Sequence, residues 1–179
     1  MKRWLAFIVT SLLFCLPVYA EEGTALSLDS SPASNGLAEI AVVLNGNPGF
    51  VSYQLDIAYD AACLQPLELT SGIGGMPVYN FLEADDQSSC VKVAYASAMP
   101  VQENGELFRI RFQIRETLSA GQSAALRLEN VHFYSQDGTE FTLTLKDGQI
   151  YVPTVPSEEA GTTTAEEAGA GPSGSNPGT

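Results

Sequence analysis

The side chains that most often perform catalysis are scarce in this sequence and are not arranged in catalytic motifs. Its single histidine, His132, lies between Val131 and Phe133 in a strand-like stretch. No G-x-S-x-G nucleophile elbow, phosphate-binding P-loop or paired His-x-x-x-His motif occurs. An isolated histidine in a strand is more often an exposed or hydrogen-bonded residue than a general base, so we expect no enzymatic activity.

Acidic residues are abundant, but none forms a ligand set with a recognisable spacing. Asp85 and Asp86 are adjacent in a polar stretch, without the loop spacing of an EF-hand. No two carboxylates stand out as the acid and base of a glycosidase. We therefore expect this chain to bind no cofactor, and the alternative is a calcium ion at the Asp85-Asp86 pair.

The N-terminus has the pattern of a secretory signal. Lys2-Arg3 precedes an apolar run from Trp4 to Leu16, and Val18-Tyr19-Ala20 ends in a small residue suitable for cleavage before Glu21. The run is too short to span a bilayer, which needs about 20 residues. We predict a signal peptide over residues 1–20 and a secreted protein, extracellular or periplasmic, with no membrane span.

The charge of the chain excludes one class of partner. The 8 basic and 21 acidic residues give a net charge of −13, and loss of the signal peptide leaves six basic residues and a net charge of −15. Binding to nucleic acid requires a basic surface that neutralises phosphates. Nucleic acid is therefore not an expected partner.

Two cysteines, Cys63 and Cys90, remain after the signal peptide. An even number of cysteines in an oxidising compartment favours a disulfide. We expect Cys63 and Cys90 to form one, and the alternative is two separate buried thiols.

The composition divides the mature chain into one domain and a tail. Residues 153–179 are rich in Pro, Gly, Ser, Thr, Ala and Glu and contain no aromatic residue. Such a segment buries too little apolar surface to offset its ordering entropy. We predict a disordered acidic tail over 153–179 and a single domain over 21–152.

The domain has the pattern of an all-β fold. Apolar and polar residues alternate with a period of two over 51–59, 108–115, 126–129 and 141–146. Turn residues separate these runs, as at Asn104-Gly105 and Asp137-Gly138. Many short alternating strands predict a β-sandwich or jelly roll.

Three segments resemble the sequence signature of cohesin domains. Gly49-Phe50-Val51 starts an alternating strand that ends in Tyr59-Asp60, with Leu64 nearby. Residues 104–112 (NGELFRIRF) are similar to the cohesin strand that follows an Asn-Gly turn, and residues 147–152 (DGQIYV) are similar to the closing strand. The order of these segments and the spacing between them resemble those of a cohesin over nearly the whole of residues 24–152.

The resemblance implies both a fold and a function. The fold is a nine-stranded jelly-roll β-sandwich, and cohesins usually bind a calcium-loaded dockerin on another protein. The chain would then be a non-catalytic binding module with a dockerin-like partner. Any calcium would belong to the partner, and this chain would need no cofactor.

The resemblance also implies where the partner binds. One sheet of a cohesin presents its outer face to the dockerin, and here that sheet would contain residues 50–59, 90–97, 106–115 and 124–134. Cohesins that recognise dockerins often carry Asn and Asp early in the first of these strands, where this chain has Ser52 and Gln54. Both can form hydrogen bonds, but Gln54 lacks a carboxylate.

Six basic residues remain after loss of the signal peptide. If these strands share a sheet, alternation turns five of the six toward one face. Arginine suits protein interfaces, so we predict that this face binds an acidic partner. The alternative is that the cations pair with Asp56 and Glu129 and hold the sheet together. The predicted partner-binding residues are Ser52, Gln54, Asp56, Lys92, Arg109, Arg111, Arg115 and Arg127.

Two other functions remain open from the sequence. Related sandwiches bind carbohydrate, and Tyr79, Phe81 and Tyr134 are candidates for stacking on sugar rings in a polysaccharide-degrading system. The only tryptophan lies in the predicted signal peptide, which disfavours that function. A purely structural extracellular role is the third possibility.

Overall fold

The computed structural model describes residues 23–83 and 89–154, and these contain strands and turns but no helix. In this part of the chain there is accordingly no helix that could cross a membrane. The predicted signal peptide, the Asp85-Asp86 pair and residues 155–179 of the predicted tail lie outside the described residues.

Eleven strands account for most of the described residues. In chain order they are β1 (Ala25–Leu28), β2 (Ser31–Pro32), β3 (Leu37–Asn45), β4 (Phe50–Ala58), β5 (Leu64–Ser71), β6 (Val78–Leu82), β7 (Cys90–Val101), β8 (Gly105–Ile114), β9 (Ser123–Tyr134), β10 (Thr144–Lys146) and β11 (Gly148–Tyr151).

The strands form two sheets that enclose one core. The five-stranded sheet has the order β10-β1-β3-β8-β5, and the six-stranded sheet has the order β2-β11-β9-β4-β7-β6. Neighbours are antiparallel, except that β1 pairs with β10 and β2 with β11 in parallel. The predicted all-β jelly-roll sandwich is confirmed. The strand number is eleven rather than nine, and the two shortest strands, β2 and β10, lie at sheet edges.

Period-two alternation explains how the strands bury one face. In β4, Tyr53, Leu55 and Ile57 are buried, while the intervening side chains point away from the core. In β8, Phe112 is buried and Arg111 is exposed. The apolar sides of both sheets thus meet in a single cluster.

Aromatic rings join the two sheets at the centre of this cluster. Tyr53 stacks on Phe133 at a centroid distance of 5.0 Å and on Phe108 of the other sheet at 6.4 Å. Phe50 meets Phe133 edge to face at 5.6 Å. The hydroxyl of Tyr53 is buried without a hydrogen-bond partner among the described residues. Burial, with a smaller effect of Tyr95, raises the pKa of Tyr53.

The predicted disulfide is absent, and the structure contains the alternative of two separate thiols. Cys63 immediately precedes β5 and packs partly against the core, with its thiol 3.5 Å from the Asp60 carboxylate. Cys90 starts β7, where alternation turns it outward on the same side as Lys92. An even cysteine count says nothing about the direction in which each side chain points, which is why the prediction failed.

We expect Cys63 and Cys90 both to react with an alkylating agent when the protein is unfolded without reductant. Burial raises the pKa of both thiols, so labelling of the folded protein near neutral pH should be slower and should accelerate as pH rises. Peptide mapping by mass spectrometry measures both sites, with a reduced sample as the control. A cross-linked peptide joining residues 63 and 90 would contradict the structure.

Candidate functional site

The outer face of β9, β4, β7 and β6 is the surface on which most of the predicted binding residues meet. We call it the platform, and strand register together with period-two alternation defines its side chains. The platform consists of Ser52, Gln54, Asp56 and Ala58 on β4; Cys90, Lys92, Ala94 and Ala96 on β7; Val78, Asn80 and Leu82 on β6; and Ala125, Arg127, Glu129, Asn130, His132 and Tyr134 on β9.

Small side chains make the middle of the platform low. Ala94 on β7 lies between Gln54 on β4 and Val78 on β6, and Ala96 pairs with Ser52. Methyl and hydroxymethyl groups project little from the sheet. A partner can therefore approach the backbone of β4 and β7 closely.

A neutralised charge pair lies beside this low region. The Nζ of Lys92 is 2.7 Å from Oδ2 of Asp56, and the Asn130 side-chain amide donates to the same oxygen at 2.8 Å. The Asp56 side chain is only 13% exposed, whereas that of Lys92 is 52% exposed. The hydrogen bond from Lys92 to Asp56, followed by their charge attraction, raises the pKa of Lys92. The pair therefore contributes little net charge to the platform.

A shallow depression of about 470 Å³ opens on the platform over β4 and β7, between β6 on one side and β9 on the other. Its lining includes the amide side chains of Gln54, Asn80 and Asn130 and the apolar side chain of Val78. His132 lies on its rim with Nδ1 2.5 Å from Oε1 of Glu140. In residues 23–83 and 89–154, no group of three or more His, Cys, Asp or Glu side chains is placed to hold a metal ion. The depression thus offers amide groups and apolar contact beside the Lys92–Asp56 ion pair.

The prediction that residues 106–115 belong to this sheet is wrong. These residues form β8 and the position after it, and β8 pairs with β3 and β5 in the five-stranded sheet. Alternation gives the side of a strand on which each residue lies but not the sheet that the strand joins. Arg109, Arg111 and Arg115 are consequently not on the platform, and the predicted single basic face does not form.

Glutamates neutralise all three of these arginines. Arg109 contacts Glu106 at 2.5 Å and Glu39 at 3.6 Å. Arg111 pairs with Glu68 on β5, and Arg115 lies 3.4 Å from Glu83. The alternative of cross-strand ion pairing therefore describes Arg109 with Glu39 and Arg111 with Glu68, although these partners are not Asp56 or Glu129. The Lys92–Asp56 pair is the predicted one.

The other five predicted residues do lie on the platform. Ser52, Gln54 and Asp56 follow one another along β4, with Lys92 on the neighbouring β7. Arg127 is exposed on β9, opposite Ala58, and no ion pair involves it among the described residues. Arg127 is therefore the platform cation that remains available to a partner.

Sequence reasoning missed β6 and the alanines of the platform. Val78 and Asn80 were not singled out, because attention went to the two aromatic residues of this stretch, Tyr79 and Phe81, as candidates for stacking on sugar rings. The rings of Tyr79 and Phe81 instead contact each other at 5.1 Å, and Phe81 packs partly against the core. The turn signals that bound β6, from Gly72 to Pro77, were the available clue.

Solved cohesin structures share the fold of this chain at low sequence identity. A non-cellulosomal cohesin from the archaeon Archaeoglobus fulgidus is 20% identical, with a TM-score of 0.61 over 74% of this chain and 92% of its own. The seventh ScaB type I cohesin of Pseudobacteroides cellulosolvens is 20% identical, with a TM-score of 0.62 over 76% of this chain and 96% of its own.

A third cohesin was solved with a partner. It is Coh-OlpA of Clostridium thermocellum, in complex with Doc918, a type I cohesin–dockerin complex. It is 20% identical to this chain, with a TM-score of 0.64 over 73% of this chain and 99% of its own. Identities at this level show the fold alone.

Curated proteins give no significant match to the chain. The cohesin-domain family profile matches residues 25–152, which is well over half of the chain and nearly the whole of the described sandwich. The chain therefore belongs to the cohesin-domain family.

Proposed function

We propose that this chain is a secreted, non-catalytic recognition module that binds a dockerin-like domain of another protein through the platform. Membership of the cohesin-domain family supports protein binding as the function. Similar cohesins from Clostridium thermocellum and Acetivibrio cellulolyticus were solved with dockerins bound, which supports this class of partner.

The contrast between the two outer faces carries the assignment to the platform. On the five-stranded sheet, Arg109 and Arg111 are held in ion pairs, and a partner would have to desolvate or break them. The middle of the platform has alanines instead, together with the amide groups of Gln54 and Asn80, which have no side-chain hydrogen bond to another described residue. Interface cores are depleted in charged residues, so the platform is the better surface.

The side chains of the platform determine which groups a partner must present. Gln54 and Asn80 can each donate and accept hydrogen bonds, and Val78 adds an apolar contact. Arg127 can grip a carboxylate or a backbone carbonyl of the partner in a bidentate manner. The partner is expected to meet the platform with hydrogen-bonding and small apolar side chains and with an acceptor near Arg127.

The proposal also assigns the calcium ions to the partner and a role in export to the N-terminal residues. The calcium ions of the complex belong to the dockerin-like partner, and this chain contributes no cofactor or catalytic group. The signal-like residues 1–20 would direct the chain out of the cytoplasm. Polysaccharide binding fits less well, because Phe81 packs partly against the core and Tyr134 is half-buried.

Affinity capture tests the function directly. The immobilised full chain is incubated, in a buffer that contains calcium, with proteins secreted by the source organism. Bound proteins are then identified by mass spectrometry. We expect recovery of a dockerin-bearing protein, and loss of that protein when EDTA removes calcium. Retention of the chain on insoluble polysaccharide, without capture of a dockerin-bearing protein, would overturn the proposal in favour of carbohydrate binding.

A further inference from the structure

The two sheets end in four edge strands, and three of these edges are protected. An edge strand presents unpaired N–H and C=O groups to other chains, and proline, charge, bulges or short length discourage such pairing. β2 has two residues and includes Pro32, and β10 has three and includes Lys146. β5 contains Pro66 and a register shift between Pro66 and Glu68.

The fourth edge, β6, has none of these features. Its five residues, VYNFL, include no proline and no charged side chain, and its register with β7 runs unbroken from Val78 to Leu82. Val78 is 79% exposed and Tyr79 is 37% exposed. Within residues 23–83 and 89–154, β7 is the only strand that pairs with it. β6 can therefore accept a further strand.

The sequence of β6 is chemically symmetric about its middle residue, Asn80. Aliphatic Val78 and Leu82 lie at the ends, and aromatic Tyr79 and Phe81 lie between them and the centre. An antiparallel pair of such strands centred on Asn80 places aliphatic opposite aliphatic, aromatic opposite aromatic and amide opposite amide. These cross-strand pairs stabilise antiparallel sheets, and self-complementarity is what a two-fold axis requires.

We propose that β6 pairs antiparallel with the β6 of a second copy of this chain, about a two-fold axis at Asn80. The two six-stranded sheets then form one continuous sheet. The occupant of this edge is the chain itself, and the proposal does not depend on the dockerin-like partner of the platform.

Charge is compatible with a second copy at this edge. Two chains with a net charge of −13 repel each other over most of their surfaces. β6 has no charged side chain, and the neighbouring cation, Lys92, is neutralised by Asp56. Two copies can meet here without opposing like charges. Added salt screens the remaining repulsion and should strengthen the association.

The area of contact sets the strength of the pair. Pairing of two five-residue edge strands buries less surface than the roughly 1,200 Å² that a specific, stable complex buries. The dimer is therefore weak, and its population depends on protein concentration.

Disulfide trapping tests the register. In the full chain with its native cysteines replaced by serine, Asn80→Cys should cross-link two copies under mild oxidation. Residues directly opposite each other have Cα atoms about 4.5–5.5 Å apart, within the bridging limit of about 7 Å. The control Val78→Cys lies on the same face, but its two copies would be about 13 Å apart along the strands. It should cross-link far less. Equal cross-linking of both variants would overturn the proposed register.

Sedimentation equilibrium tests the association without a cross-link. The mass-average molecular weight of the unmodified chain should rise with protein concentration and with salt. Asn80→Lys places two like charges opposite each other and should keep the chain monomeric. The control Leu145→Lys adds the same charge to the β10 edge and should associate as the unmodified chain does. A chain that stays monomeric throughout, or association unaffected by Asn80→Lys, would overturn the proposal.

Discussion

Replacing Ala94 with arginine is expected to weaken partner binding by more than about tenfold, which corresponds to about 1.4 kcal/mol. Ala94 is exposed in the low middle of the platform, between Gln54 and Val78. A long charged side chain there occupies the space of the partner and must be desolvated and ordered on binding. Isothermal titration calorimetry with the captured partner measures the loss. The thermal unfolding midpoint should stay close to that of the unmodified chain, because residue 94 points to solvent.

Two variants on the opposite sheet serve as controls for Ala94→Arg. Gln113→Arg introduces the same side chain at an exposed position of β8 and should leave the affinity unchanged. The double change of Arg109 and Arg111 to glutamine removes surface ion pairs, each worth about 0–1 kcal/mol, and should lower stability slightly without affecting binding. If these changes weakened binding and Ala94→Arg did not, the partner would contact the five-stranded sheet.

Replacing Phe133 with alanine is expected to lower the free energy of unfolding by about 3–5 kcal/mol. Phe133 is fully buried, stacks on Tyr53 and meets Phe50 edge to face. Such a loss is a large fraction of the roughly 5–15 kcal/mol that stabilises an ordinary domain. Urea denaturation should show a lower midpoint with an unchanged slope.

Tyr53→Phe is the matched control within the same aromatic cluster. It keeps the ring that stacks on Phe133 and removes a buried hydroxyl that has no hydrogen-bond partner among the described residues. A buried polar group without a partner costs free energy, so this variant should be at least as stable as the unmodified chain. A loss comparable to that of Phe133→Ala would show that the Tyr53 hydroxyl contributes to the core.

The fold followed from the sequence because alternation is a local property. The buried residues Tyr53, Leu55 and Ile57 were assigned to one side of β4 from their period alone, and the structure has them in the core. The same rule failed near the end of the domain. Alternation over residues 141–146 implies that Leu145 is buried, but Leu145 lies in the short strand β10 and is 45% exposed. A three-residue edge strand has too little neighbouring structure to cover it.

The platform was only partly predictable, because it depends on which strands become neighbours. Ser52, Gln54 and Asp56 were placed correctly, since they lie on β4, which carries the family signature. Arg109 and Arg111 were misplaced, because nothing local to β8 distinguishes pairing with β3 from pairing with β4. Sheet membership is a long-range property, and it places Arg109 and Arg111 in the five-stranded sheet, on the opposite side of the sandwich.

The disulfide prediction failed for a related reason. The prediction used their number and the expected compartment, and neither depends on geometry. The structure turns Cys90 outward beside Lys92 and leaves Cys63 at the edge of the core. A disulfide needs Cα atoms within about 7 Å and side chains that point toward each other.

Amide chemical-shift mapping is the most direct test of binding through the platform. The ¹⁵N-labelled chain is titrated with the captured dockerin-like domain, and the amide signals of the two outer faces are compared. We predict that the largest changes fall on Gln54, Ala94 and Arg127, with little change at Arg111 and Gln113 of β8. The largest changes at Arg111 and Gln113, with Gln54, Ala94 and Arg127 unaffected, would contradict the proposed binding surface.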